Sequence, residues 1–159
     1  MFRTGIGYDV HRLALGELLI LGGIEINSEI GSLGHSDGDV LTHSIVDALL
    51  GAAGLGDIGT YFPSDDERWK DFSSLKFLSH CVKTVKKSGF EISNVDATII
   101  LQHPCLKDYI PKIQKKLTSE MDVNFSAVSI KATTTDGLGF IGNREGIGAL
   151  AIATLTSPN

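Results

Sequence analysis

Residues 38–54 read Gly38-Asp39-Val40-Leu41-Thr42-His43-Ser44-Ile45-Val46-Asp47-Ala48-Leu49-Leu50-Gly51-Ala52-Ala53-Gly54. Val40, Leu41, Ile45, Val46, Leu49, Leu50 and Ala53 recur at the 3.6-residue period of a helix. Asp37 or Ser36 is placed to cap its start, and Gly54 and Gly56 end it. So broad an apolar stripe needs a surface to bury against. The chain on either side supplies strands. Upstream, residues 2–13 alternate as a first strand running into Val10-His11-Arg12, and residues 18–26 form a hairpin about Gly22-Gly23. Residues 27–36 read as loop. Downstream, residues 57–72 lack any period and hold the only tryptophan, so they read as a long loop of the functional or mobile kind. A second helix runs from Ser73 or Ser74 to Lys87, and a third lies near 107–120 with Pro111 at its start. Strands are expected at Val95–Gln102, Ala127–Thr133 and Gly146–Leu155. The order predicts an α/β (α+β) fold in one domain over residues 1–159: a mixed β-sheet with helices packed on one face. The apolar run Ile147–Leu155 predicts a strand buried on both faces, against a partner subunit.

Composition narrows the function classes. With 159 residues, 42% hydrophobic and 21% charged, the chain has the make-up of one globular domain. A net charge of −5 excludes a broad nucleic-acid footprint and disfavours an anionic membrane surface. No apolar run approaches the ~18–20 residues of a membrane helix. Two cysteines without a C-x-x-C rule out a disulfide scaffold and fit a reducing compartment. The first residues read as strand rather than signal peptide, which predicts a cytoplasmic protein. Eighteen glycines, where about 11 are expected at average usage, point to special backbone geometry at turns or a ligand site.

Three constellations carry chemistry. Asp9 and His11 stand at i and i+2 of the first strand, so they share a face. On the first helix Asp39, His43 and Asp47 recur every four residues, an acidic–imidazole stripe. Asp9, His11 and His43 together make the three-ligand set of a catalytic zinc site, with nearby carboxylates free to orient His43. A hydrogen-bonded strand-end pair and a solvated helix face account for the same residues. Next, His35-Ser36-Asp37-Gly38-Asp39 enters the helix, where free N–H groups and the dipole suit a phosphate. Helix capping explains Asp37 as well; His35 is placed to donate to a phosphate oxygen. Third, Lys131-Ala132-Thr133-Thr134-Thr135-Asp136 leaves a strand with hydroxyls and a hard carboxylate, fit for magnesium and phosphate or for an edge strand and turn. Gly54–Gly59 matches no phosphate-loop spacing. His80 and His103 read as structural, and Cys81 as a core residue on a helix face.

These motifs occur in a characteristic order: Gly5-x-Gly7-x-Asp9-x-His11, His35–Asp39, His43, Asp57-Ile58-Gly59, Phe62-Pro63, and Lys131–Thr135 followed by an acid. From Gly5 to about Ile147 the chain resembles the 2-C-methyl-D-erythritol 2,4-cyclodiphosphate synthases of the non-mevalonate isoprenoid pathway. The resemblance implies a phosphorus–oxygen lyase that converts a cytidine-diphospho-methylerythritol 2-phosphate into a cyclic diphosphate and releases CMP. It implies a homotrimer with active sites between subunits, one Zn2+ per subunit on Asp9, His11 and His43, and a second cation, Mg2+ or Mn2+. His35 and Thr134 would stabilise the transition state. Asp9, His11, His35 and Ser36 would meet the substrate, with Asp57, Ile58, Gly59, Phe62, Pro63, Ser64, Asp65 and Asp66 lining its methylerythritol part. Thr133, Thr134, Thr135, Asp136 and Phe140 would come from the adjoining subunit, and Leu101–Lys107 would hold cytidine. Three positions depart from the family pattern. Asp136 stands for a more usual glutamate, Asn143 precedes an arginine found one place earlier in relatives, and Cys105 replaces a lysine. Two rival functions fit the same residues: a metal-dependent nucleoside-diphosphate phosphohydrolase, and a non-catalytic metal- or isoprenoid-binding trimer.

Overall fold

The computed structural model describes residues 1–70 and 72–157. Strand β1 (Phe2–Leu15) is flanked by β4 (Ile30–Leu33) on one side and β7 (Gly146–Thr156) on the other, both antiparallel. Strand β5 (Glu91–Ile100) continues the sheet antiparallel to β7, and β6 (Val128–Thr133) closes it parallel to β5. The order is β4-β1-β7-β5-β6. A separate hairpin joins β2 (Leu19–Leu21) to β3 (Ile24–Ile26). Its turn residues Gly22 and Gly23 both have positive φ, the backbone that the favoured two-residue hairpin turn demands.

Helices α1 (Val40–Ala53), α3 (Ser74–Lys87) and α4 (Ile110–Met121) supply the other layer. Their apolar sides meet one sheet face, on which Ile147, Ala149, Ala151, Ala153 and Leu155 of β7 and Val95, Ala97 and Ile99 of β5 are buried. The odd-numbered residues of β1 lie on this face as well. An alanine Cβ at Gly5 would stand 2.1 Å from the Ala48 carbonyl oxygen, and one at Gly7 1.9 Å from that of Ser44. Helix α1 therefore rests directly on the β1 backbone, and only glycine permits the approach.

Several expectations need correction. The expected loop 27–36 contains β4, a short edge strand that gains its partner because β1 runs on to Leu15. The expected loop 57–72 holds a one-turn helix α2 (Ile58–Tyr61) and a 3-10 turn (Glu67–Trp69), capped by the Asp57 and Asp66 side chains; Asp71 lies outside the described residues. The cap of α1 is neither Asp37 nor Ser36 but Asp39, whose carboxylate accepts from Thr42 N at 3.0 Å. Within the single chain the second face of β7 is covered at Gly146 and Gly148, while Leu150 and Ile152 are 37% and 42% exposed. Beside them Ile6 and Tyr8 of β1 are 66% and 59% exposed, so the sheet's second face carries an uncovered apolar centre. A last short helix, α5 (Gly139–Gly142), precedes β7.

Candidate metal centre and active-site cleft

The close packing at Gly7 assembles the site. Asp9 and His11 follow Gly7 on the same face of β1, and His43 adjoins the Ser44 carbonyl that sits over it. Asp9 Oδ2 lies 3.0 Å from both His11 Nε2 and His43 Nδ1, and the two ring nitrogens are 3.2 Å apart. Three potential ligand atoms thus converge on one point, as the sequence predicts. The cluster is coupled electrically. Burial works to raise the Asp9 pKa, but hydrogen bonds and charge from His11 and His43 outweigh it and hold the carboxyl well below the usual range. For His11, burial works downward, yet the Asp9 carboxylate and the Leu33 carbonyl raise the pKa above the ordinary imidazole value. His11 Nδ1 donates to the Leu33 carbonyl at 3.1 Å. A carbonyl can only accept, so in the neutral ring this bond leaves the lone pair of Nε2 directed at the cluster, whereas the protonated ring donates from Nε2 to Asp9. Charge, spacing and lone pair all fit a divalent cation.

The stripe of carboxylates on α1 does not orient His43. Asp39 is fully buried, and it accepts from Gly22 N (3.0 Å), Gly23 N (2.8 Å) and the Thr42 hydroxyl (2.7 Å). Burial pushes its pKa up, against the pull of those hydrogen bonds. As the N-cap its side chain folds back over the helix start, so it pins the β2–β3 turn instead. Asp47 accepts from Ile58 N at 2.8 Å and fixes the start of α2; burial raises its pKa too. The partner of His43 is one that sequence reasoning missed. His43 Nε2 lies 2.8 Å from Ser74 Oγ and 3.1 Å from Ser36 Oγ. Asp37 in turn accepts from the Ser74 hydroxyl and, at 2.8 Å, from Ser74 N. Asp37 is a capping residue, as its type suggests, but it caps α3.

A cavity of about 250 Å³ opens on the cluster, lined by Asp9, His11, His35, Ser36, His43, Asp47, Ile58, Gly59, Phe62, Ser64, Trp69 and Phe77. Phe62 stacks on Phe77 at 4.3 Å and meets Trp69 edge-on at 5.2 Å, giving one wall an aromatic floor. His35 Nε2 donates to the Asp66 carbonyl at 2.9 Å, which ties the 63–66 turn to the cleft. The Asp57 and Asp66 carboxylates turn to their own caps; Thr60 holds the first below its usual pKa and Arg68 the second. Pro63, Asp65 and Asp66 are not part of this cavity wall. Nor are the expected threonines. Thr133 and Thr134 line a second cavity of about 410 Å³ with residues 101–107, Ile110 and Ile130–Ala132. There the Thr134 hydroxyl donates to Asp136 Oδ1 at 3.2 Å, and Gly137 N donates to Gln102 Oε1 at 3.2 Å. His35 and Thr134, paired by the sequence reading, sit in different cavities of one chain. Thr135 and Phe140 border neither: the Thr135 hydroxyl donates to the Leu138 carbonyl at 2.7 Å, and Phe140 covers Gly146.

The chain is similar to proteins with known names across nearly all its length. It is 51% identical over 153 residues to 2-C-methyl-D-erythritol 2,4-cyclodiphosphate synthase of Clostridium acetobutylicum, covering 96% of this chain and 99% of that one. The synthase of the same name from Lachnospira eligens is 50% identical over 155 residues, covering 98% of this chain and 85% of that one. Among solved structures, the Plasmodium falciparum IspF CDP complex superposes with a TM-score of 0.87 at 36% identity, covering 99% of this chain and 97% of that one. The bifunctional IspDF of Campylobacter jejuni gives a TM-score of 0.96 at 40% identity; there the match covers all of this chain but only 43% of the other. A family model described as the YgbB family matches residues 2–156, and the chain belongs to that family.

Proposed function

We propose that the chain catalyses the cyclisation of 4-diphosphocytidyl-2-C-methyl-D-erythritol 2-phosphate to 2-C-methyl-D-erythritol 2,4-cyclodiphosphate, releasing CMP, in isoprenoid biosynthesis. The observation that carries it is the Asp9–His11–His43 cluster opening into the cleft of His35 and Ser36, in a chain half identical to synthases of that name. An oxygen of the 2-phosphate attacks the β-phosphorus of the diphosphate, a new P–O bond forms, and the bond to the CMP oxygen breaks. The step asks for alignment and charge neutralisation rather than a protein nucleophile.

Asp9, His11 and His43 would hold a divalent ion, Zn2+ by the geometry and softness of two imidazoles and a carboxylate. When bound, it supplies positive charge to the phosphates. His35 and Ser36 bind phosphate oxygens beside it. Ile58, Gly59, Phe62 and Ser64 take the carbon chain, with Asp57, Pro63, Asp65 and Asp66 shaping the same rim. The second cavity takes cytidine through Leu101–Lys107, while Thr133–Asp136 hold the diphosphate and a second cation, Mg2+ or Mn2+. Phe140 flanks that end.

Because the two cavities are separate in one chain, the working site joins the first of one subunit to the second of its neighbour, in a trimer. The exposed apolar patch of Ile6, Tyr8, Leu150 and Ile152 supports association through the open sheet face. No described helix is long and apolar enough to cross a membrane, and a cytoplasmic place suits a small soluble substrate. The test is product analysis by phosphorus NMR: CMP with a cyclic diphosphate is expected. CMP with a linear bisphosphate would make the chain a phosphohydrolase, and unchanged substrate would make it non-catalytic.

A further inference from the structure

His11 and His43 have different kinds of partner on their outer nitrogens. His11 meets a backbone carbonyl, which leaves no choice of tautomer. His43 Nε2 meets two hydroxyls, Ser74 Oγ at 2.8 Å and Ser36 Oγ at 3.1 Å, and a hydroxyl either donates or accepts. The choice matters. If His43 carried its proton on Nδ1, that N–H would point at Asp9 Oδ2, 3.0 Å away, and the ligand lone pair would be lost.

Asp37 removes the choice. Its carboxylate faces Ser74 with both oxygens, one accepting the Ser74 hydroxyl and the other Ser74 N at 2.8 Å. A carboxylate has no hydrogen to give, so the Ser74 proton is committed to Asp37. Ser74 Oγ must then accept from His43 Nε2–H. Ser74 is fully buried, so no water competes for the arrangement. We propose that Asp37 and Ser74 are positioning residues for the metal, holding the His43 ring as its Nε2–H tautomer so that Nδ1 faces Asp9 and His11 as a ligand. Ser36, whose proton has no fixed acceptor, does not select the tautomer and stays available in the cleft. The same two residues join the loop before α1 to the start of α3, so the packing of α3 and the aim of His43 are set together.

The inference rests on the metal reading of the cluster and not on the cyclisation. Its test uses the full chain, with zinc ion as the probe. Nitrogen-15 NMR of the histidine rings in the zinc-loaded protein should show His43 bound through Nδ1 and protonated on Nε2. Ser74→Ala keeps the N–H that Asp37 caps but removes the hydroxyl. Asp37→Asn leaves one acceptor oxygen where two hydrogens of Ser74 need placing. Both variants should speed exchange of the zinc-bound His43 Nε2 proton with water and lower zinc affinity, measured against a competing chelator, by about 10–100-fold. Circular dichroism separates this from loss of fold. A wild-type ring bound to zinc through Nε2 overturns the proposal without recourse to variants, as do folded variants with wild-type proton exchange and zinc affinity within about twofold. A wild-type chain that takes up no zinc overturns the metal reading itself, and the relay with it.

Discussion

Gly7→Ala probes the contact that builds the site. The added Cβ would stand 1.9 Å from the Ser44 carbonyl oxygen and 2.8 Å from Ala48 N. Both are backbone atoms of α1, so no side chain can swing aside. Real Cβ contacts essentially never fall under 3.0 Å, hence α1 and β1 must part by about 1 Å or more. His43 rides on α1 and Asp9 and His11 on β1, so the whole displacement falls between the ligands. Their atoms now lie 3.0–3.2 Å apart, and a metal site tolerates only about 0.2 Å in its bond lengths. Stoichiometric zinc binding should therefore be lost.

Overpacking of this kind costs about 1–3 kcal/mol, which for a chain of this size lowers the melting temperature by about 2–12 °C. Metal-free protein followed by circular dichroism gives the second number, and zinc content after dialysis the first. Gly51→Ala is the control on the same helix. There the nearest atom to the new Cβ is the Ile6 carbonyl oxygen at 3.9 Å, so alanine should stabilise by about 0.5–1 kcal/mol through its better helix propensity. A Gly7→Ala protein with wild-type melting and one zinc per chain would refute the idea that α1–β1 contact sets the ligand geometry.

Cysteine chemistry gives a simple check of burial and of the proposed cytidine cavity. Burial, with the Asp47 charge behind it, pushes the Cys81 thiol up to about 12, so it holds almost no thiolate at pH 8. A thiol reagent at that pH should titrate only the exposed Cys105 in native protein and both cysteines after denaturation; CDP should slow the native reaction, and no protection would argue against cytidine in that cavity. Asp136→Asn should abolish magnesium stimulation while leaving zinc content alone. Superimposable magnesium titrations would reduce Asp136 to a turn residue. Trp69, the only tryptophan, lines the metal-side cavity, so substrate binding should change its emission; an unaltered spectrum at saturation would place the substrate elsewhere.

Local chemistry made the site legible in part. The i, i+2 spacing of Asp9 and His11 dictated a common face, and the four-residue spacing of Asp39, His43 and Asp47 put His43 on one polar stripe of its helix. That these would meet followed only weakly from spacing, because the glycines that allow α1 to touch β1 declare their role only when the helix is seen above them. The Asp37–Ser74–His43 chain spans 37 residues and depends on where α3 begins. From the sequence, Asp37 competed with Ser36 for the α1 cap, and Ser74 was simply a helix start. Propensity also hid β4: Ile30-Gly31-Ser32-Leu33 has little strand character, and it pairs because β1 offers an edge. In β7 the odd-numbered residues of the apolar run Ile147–Leu155 are core, while Leu150 and Ile152 are exposed in the single chain, the side on which the sequence reading expects a partner subunit.

The proposed partner contact can be put to a quantitative test. His35 and His43 line one cavity of the chain and Thr134 the other. If each site joins the first cavity of one subunit to the second of the next, a chain lacking His43 and a chain lacking Thr134 damage different halves. Co-expressed His43→Ala and Thr134→Val subunits, assorting at random, form mixed trimers in about three quarters of cases, and in cyclic symmetry each mixed trimer has one site with both halves intact. About one site in four is then whole, so the mixture should recover about a quarter of wild-type kcat while each variant alone stays about 10²-fold or more below it. Light scattering should give three times 17.0 kDa for every preparation. If both cavities served a single chain, every subunit in the mixture would carry one fatal defect, and mixing would restore nothing. A quarter recovered and none recovered are far enough apart that one assay decides whether this fold completes its site alone or only against its neighbour.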